Sequence, residues 1–190
     1  TAMDSPEDVL AIVRQAMTDG DLDTAESALK KAARRWPREP EFSIRYAFVL
    51  RSQGKDRAAY KAFRKVMKKA PERLDACRGA ADCAILIGKA KEAEKLYGRA
   101  IGLGMSLDEA SVGIARSYTL RSRHSEAWEK AVAQFSESGR KSRELHRFLS
   151  EIAPIVGSSV PQLDEFDMGD VEQRLDAVRR DQVAVDSTNS

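Results

Sequence analysis

Apolar residues recur along the chain in short stripes at helical spacing, each stopped by a turn residue and then resumed. Val9, Ile12, Val13 and Ala16 form one stripe, and Leu22, Ala25, Leu29 and Ala32 the next. Spacings of three and four residues put one apolar face on each of two helices. Gly20 stands between them, where a positive φ costs glycine little. Trp36-Pro37 closes the pair, because proline cannot continue a helix. Ser5 ahead of Pro6 predicts an N-cap with proline at the first helical position and acidic Glu7 and Asp8 in the first turn.

This unit returns at a fixed step. Ala25, Ala59, Ala93 and Ala127 are each 34 residues apart, and so are Ala47, Ala81 and Ala115, and Gly20, Gly54 and Gly88. The step divides the chain into copies at 6–39, 40–73, 74–107 and 108–141. Pro40 to Arg73 is the clearest copy, with Tyr46, Ala47 and Leu50 on its first helix and Ala59, Phe63, Val66 and Met67 on its second. The fourth is the most degraded, with Ser122 at the turn and Ala131 at the aromatic position. Leu145, Phe148, Leu149 and Ile152 then predict a capping helix over 142–153 that ends at Pro154. Gly157 to Pro161 reads as a linker, and 158–190 as an acidic tail with a short helix over 170–181. Residues 1–5 read as an extraneous leader or a flexible end.

Composition supports a helical chain. Of the 190 residues 33 % are charged and 42 % hydrophobic, and no apolar stretch approaches the roughly 20 residues needed to span a bilayer. The net charge of +2 is unevenly placed: residues 158–190 carry eight acids against Arg174, Arg179 and Arg180, so the tail is −5 and the body +7. Cys77 and Cys83, six apart on one helix, point about 240° apart and do not pair there. A cytoplasmic setting is the default for such a pattern, and a removed signal peptide leaves a periplasmic one open.

With these residues in view, the chain resembles the tetratricopeptide repeat family over Pro6 to Lys141 and the capping helix. That family places small residues at positions 8 and 20, glycine near 15, a large apolar or aromatic residue at 24, alanine at 27 and proline at 32. The second copy matches with Ala47, Ala59, Gly54, Phe63, Val66 and Pro71, the third with Ala81, Ala93, Gly88, Tyr97 and Ala100. The first departs with Val13 at the small position, and the third lacks the proline. The resemblance implies an all-α protein: a right-handed α-α superhelix of about four helix pairs plus a C-terminal capping helix.

It also implies a concave groove lined by positions 2, 5, 9, 12 and 13 of each first helix. The expected ligand-binding residues there are Arg14, Ile44, Phe48, Arg51, Arg78, Asp82 and Arg116. Arginine's planar fork suits carboxylates, and Ile44 and Phe48 suit apolar side chains. The expected function is therefore a non-enzymatic scaffold that binds a partner protein or peptide carrying acidic and apolar residues. Another reading is structural: Arg14, Arg51 and Arg116 pair with neighbours such as Glu7, Glu41, Asp75 or Asp82. Chaperone-binding members hold a C-terminal carboxylate with lysines and asparagines at positions 5 and 9. Here those positions include Leu10, Arg14, Ile44 and Phe48, so no such clamp is expected.

Catalytic signals are missing. His124 and His146 are the only histidines and lack paired-ligand spacing, and Gly102-Leu-Gly104 has neither a third glycine nor a preceding strand. No cofactor, metal or enzymatic activity is expected. Lys30-Lys31, Arg34-Arg35 and Lys68-Lys69 fall near the ends of second helices, where positive charge suits the helix dipole. No aromatic–basic interleaving supports a nucleic-acid surface, and an anionic membrane surface is permitted by the charge but otherwise unsupported. Leu163 to Met168 has the composition of the expected ligand, so the tail is a candidate competitor for the groove, on its own chain or a neighbour's. The alternative is a structural or oligomerisation module of a larger protein.

Overall fold

The computed structural model describes residues 5–164. Within them the chain forms helices α1 (Pro6–Thr18), α2 (Leu22–Arg35), α3 (Pro40–Ser52), α4 (Asp56–Lys69), α5 (Leu74–Leu86), α6 (Ala90–Gly102), α7 (Leu107–Thr119), α8 (His124–Glu137) and α9 (Arg143–Val156). The helix expected over 170–181 and the remainder of the acidic tail lie outside the described residues.

Local chemistry sets the boundaries. Ser5 and Asp8 form a capping box, the Ser5 Oγ accepting from the Asp8 N–H at 3.1 Å while the Ser5 N–H donates to the Asp8 carboxylate at 3.0 Å. The turn inside each helix pair needs one left-handed residue. Gly54 supplies it at φ +71°, and in the fourth pair Ser122 adopts φ +59° in glycine's place. His124 follows that turn as the first residue of α8.

Packing follows from small residues at the close approach. Ala47 and Ala59, Ala81 and Ala93, and Ala115 and Ala127 are all fully buried. The aromatic of one repeat then enters the next. A Cβ placed on Gly79 would lie 2.5 Å from the Phe63 ring, and one on Gly113 would lie 2.2 Å from the Tyr97 ring. These two glycines, themselves 34 residues apart, are holes for the preceding repeat's ring. Cys77 and Cys83 are buried free thiols, and burial pushes both up, Cys83 to about 11.

Sequential helices pack in series, and the odd-numbered row is the tighter one. α3 touches α5, α5 touches α7 and α7 touches α9, whereas no contact joins α2 to α4 or α4 to α6 among the described residues. The odd-numbered helices therefore form the inner, concave row of the α-α superhelix, and the even-numbered helices splay outward.

The C-terminal end differs from expectation in two respects. Pro154 lies inside α9 and does not stop it. A proline in the last turn removes one intrahelical bond, and the end is closed instead by Gly157 in the left-handed conformation and by Ser158 N–H donating to Ala153 C=O at 3.1 Å. Residues 157–161 also do more than link. Val160 and Leu163 pack against the core cluster of α7, α8 and α9, and Asp164 N–H donates to Arg140 C=O at 3.0 Å. This extended strap, laid back toward the α8–α9 turn, covers part of the final apolar face.

Candidate functional site

The concave row presents the surface that the sequence singled out, with one exception. Ile44 is 2 % exposed and belongs to the middle core cluster, which α3 shares with α5. It is a packing residue and not a ligand contact. Its branched side chain is buried because the inner helices approach one another closely there. Phe48 is 38 % exposed and meets Phe63 edge-on at 4.9 Å between ring centroids, so one side is packed and the other open.

Phe48, Arg51, Arg78 and Asp82 come together around one hollow of about 660 Å³, with Arg73 and Glu109 also on its wall. Arg14 and Arg116 do not join them. Arg14 lines a separate hollow of about 400 Å³ beside Leu10, Met17 and Arg45. Arg116 lies towards the other end, where it faces Glu151 of α9 at 3.6 Å.

The central arginines are already paired. Arg51 Nη1 donates to Asp82 Oδ2 at 2.8 Å, and the Tyr97 hydroxyl donates to Asp82 Oδ1 at 2.6 Å. Arg78 pairs with Glu109 on the next inner helix. Arg73 reaches Asp75 at 2.5 Å and Glu41 at 3.1 Å. Burial, with the Asp82 carboxylate beside it, pushes the Tyr97 phenol well above its usual range. The hydrogen bond from Arg73 holds the Asp75 carboxyl below the ordinary value. Arg51–Asp82, Arg73–Glu41 and Arg78–Glu109 join one inner helix to the next and act as rungs between repeats, whereas Arg73–Asp75 is local to the start of α5 and Tyr97–Asp82 stays within the third repeat. Each is partly solvated and worth on the order of 0–1 kcal/mol.

Apart from Arg14, what remains open on this face is apolar. Met17, Phe48, Leu86 and Leu120 are exposed, and all four occupy expected groove positions. Sequence reasoning missed Arg73, Glu151 and the Tyr97–Asp82 bond. The Gly79–Gly113 step, which fixes where the Tyr97 ring lies, was legible as one more 34-residue recurrence. Among the described residues, no group of three or more His, Cys, Asp or Glu is placed to hold a metal ion, and no helix is long and apolar enough to cross a membrane.

Residues 50–102 match the family model described as tetratricopeptide repeat. No curated protein sequence matches the chain. Among solved structures, MamA from Desulfovibrio magneticus RS-1 is similar at a TM-score of 0.70 and 17 % identity, over 83 % of this chain and 88 % of that one. A tetratricopeptide repeat protein from Parabacteroides merdae gives 0.67 and 18 %, over 80 % and 60 %. A thermophilic one from Thermus thermophilus gives 0.62 and 14 %, over 80 % and 84 %. At these identities the likeness is one of fold.

Proposed function

We propose that this chain, an array of tetratricopeptide repeats, is a protein-interaction scaffold that holds a partner segment along its concave row. The observation that carries the reading is that each inner helix leaves one apolar side chain exposed at a groove position: Met17, Phe48 and Leu86 on α1, α3 and α5, and Leu120 at the end of α7. Exposed apolar side chains gathered on one concave surface, rimmed by charge, are the usual mark of a peptide-binding groove. The ring of Phe48 is the central anchor. It is held rigid by Phe63 on one side and offers its other side to a ligand.

The paired arginines give the groove its selectivity. At the central hollow a partner carboxylate is accepted only by exchange, displacing Asp82 from Arg51 or Glu109 from Arg78. The partner's apolar residues therefore supply most of the affinity and its acidic residues set the register. The fold as a scaffold class supports protein binding in general.

The test is capture of partners by the intact chain from a lysate, repeated with Phe48→Ala and Arg51→Glu. Each substitution should lower the affinity of the captured partner about tenfold while leaving helical circular dichroism unchanged. Undiminished affinity in both variants would remove the concave row from the reading.

A further inference from the structure

A second hollow, of about 550 Å³, lies on the outer side of the array between α2 and α4. Its walls carry Lys30 and Arg34 from α2, Lys65 and Lys69 from α4, and Arg38 from the turn between α2 and α3, with Glu72 as the one acid. Each helix contributes its two cations at i, i+4, so they share a face and both point into the cleft. All five are exposed, and none forms an ion pair or hydrogen bond with a described residue. The floor is apolar: Ala33, Tyr46, Ala62 and Val66.

The next outer cleft shows what a purely structural arrangement looks like. One repeat on, the counterparts of Lys30 and Lys65 are Arg64 and Arg99. Arg64 pairs with Glu92 at 2.6 Å, and Arg99 donates to Pro71 C=O at 2.7 Å. In the first cleft the counterpart of Glu92 is Ala58, and Lys69 replaces what becomes Leu103. Where the second cleft matches Arg64 and Arg99 internally and leaves Lys68 as its cation without a partner among the described residues, the first leaves five around one hollow. Like charges at such spacing repel weakly, a small cost that a bound anion would relieve.

We infer that the α2–α4 cleft is a docking site for an acidic peptide segment with interleaved apolar residues. The charge of the cleft, five cations against one acid, calls for several carboxylates. The apolar floor calls for side chains that a phosphate backbone does not have. No ladder of aromatic residues is present in the cleft to stack bases, which favours a peptide over a nucleic acid. The site is distinct from the central hollow of the concave row, where Arg51, Arg73 and Arg78 already reach carboxylates.

The probe is a fluorescein-labelled peptide with the sequence of residues 160–170, which carries Asp164, Glu165, Asp167 and Asp170 and no basic residue, with Leu163 ahead of them and Phe166 and Met168 between them. Titrated with the full chain and followed by anisotropy, it should bind, and binding should weaken as salt is raised. Lys65→Glu combined with Lys69→Glu should weaken it at least about tenfold, and Lys30→Gln with Arg34→Gln should weaken it less but in the same direction. Lys91→Glu with Lys95→Glu, an equal change of net charge on exposed α6 positions, should leave it within about twofold. Thermal melts of each variant check that the fold is retained. The proposal is overturned if the wild-type chain does not bind the peptide. It is also overturned if the α6 control weakens binding as much as the cleft variants, or if a short oligothymidine binds the cleft more tightly than the peptide does. The concave-row substitutions of the preceding subsection report on that reading separately.

Discussion

On the inner face, Arg51, Arg73, Arg78 and Arg116 each reach a carboxylate. On the outer face, between α2 and α4, Lys30, Arg34, Arg38, Lys65 and Lys69 reach none among the described residues. A count of cations alone would rank the two faces alike, but the central inner hollow sets Glu72, Asp75, Asp82 and Glu109 against Arg51, Arg73 and Arg78, and the outer cleft has Glu72 alone. Their pairing separates them, because a matched arginine offers a ligand only exchange whereas an unmatched lysine offers net attraction. Around its central hollow the inner face is left with apolar anchors as its free interaction sites, with Arg14 apart at one end, and the outer cleft with charge.

Both faces depend on one scaffold, and the largest effect should come from breaking it. Gly79→Leu forces side-chain atoms into the Phe63 ring and should cost about 3 kcal/mol, with loss of both surfaces together. Urea denaturation measures it. Gly98 offers the contrast: nothing lies within 4 Å of a Cβ there, so Gly98→Ala should stabilise α6 by about 0.5–1 kcal/mol. Equal midpoints for the two variants would show that ring-on-glycine packing does not hold the repeats together. Buried Cys77 and Cys83 give a second readout, since a thiol reagent should modify them only as fast as the chain opens.

Removing one inner carboxylate should make the inner face resemble the outer one. Asp82→Asn releases Arg51 and weakens the Tyr97 bond, at about 1–2 kcal/mol of stability. The freed Arg51 should give the concave row severalfold higher affinity for the acidic 160–170 peptide, measured in the Lys65→Glu/Lys69→Glu background so that the outer cleft is silent. No gain would mean that pairing is not what distinguishes the faces.

Acid should act on the inner face. The Asp75 carboxyl is depressed by its bond from Arg73, so the unfolded chain takes up that proton first. The pair's contribution is intact above the ordinary Asp value of about 3.9 and is lost as pH falls from there through the lower folded-state value. Asp75→Asn should flatten this acid limb in a pH series of urea midpoints, and an unchanged limb would exclude the pair as its source. The smallest effect belongs to the outer cleft. Lys65→Glu/Lys69→Glu should move stability by no more than about 0.5 kcal/mol, because neither ammonium has a protein partner to lose. A loss of several kcal/mol would mean that those lysines hold the fold rather than await a ligand.

The sequence by itself determined the helices, their pairing and their step. Those features rest on contacts close along the chain: Ala47 against Ala59, Gly54 in the turn between them, Ser5 capping α1. A small residue or a positive φ leaves a residue-type signature wherever it recurs, so the 34-residue period exposes it. Tertiary structure alone decided which charges are matched. Arg51 and Asp82, or Arg78 and Glu109, lie a repeat apart, and residue type says nothing about whether two side chains that distant will meet. It also decided that Ile44 is core, because its exposure depends on how closely α5 lies over α3. And it decided that the α2–α4 cleft stays cationic, since only the splay of the outer helices shows that four lysines and arginines of two separate helices face one hollow with Ala58 standing where the next repeat has an acid.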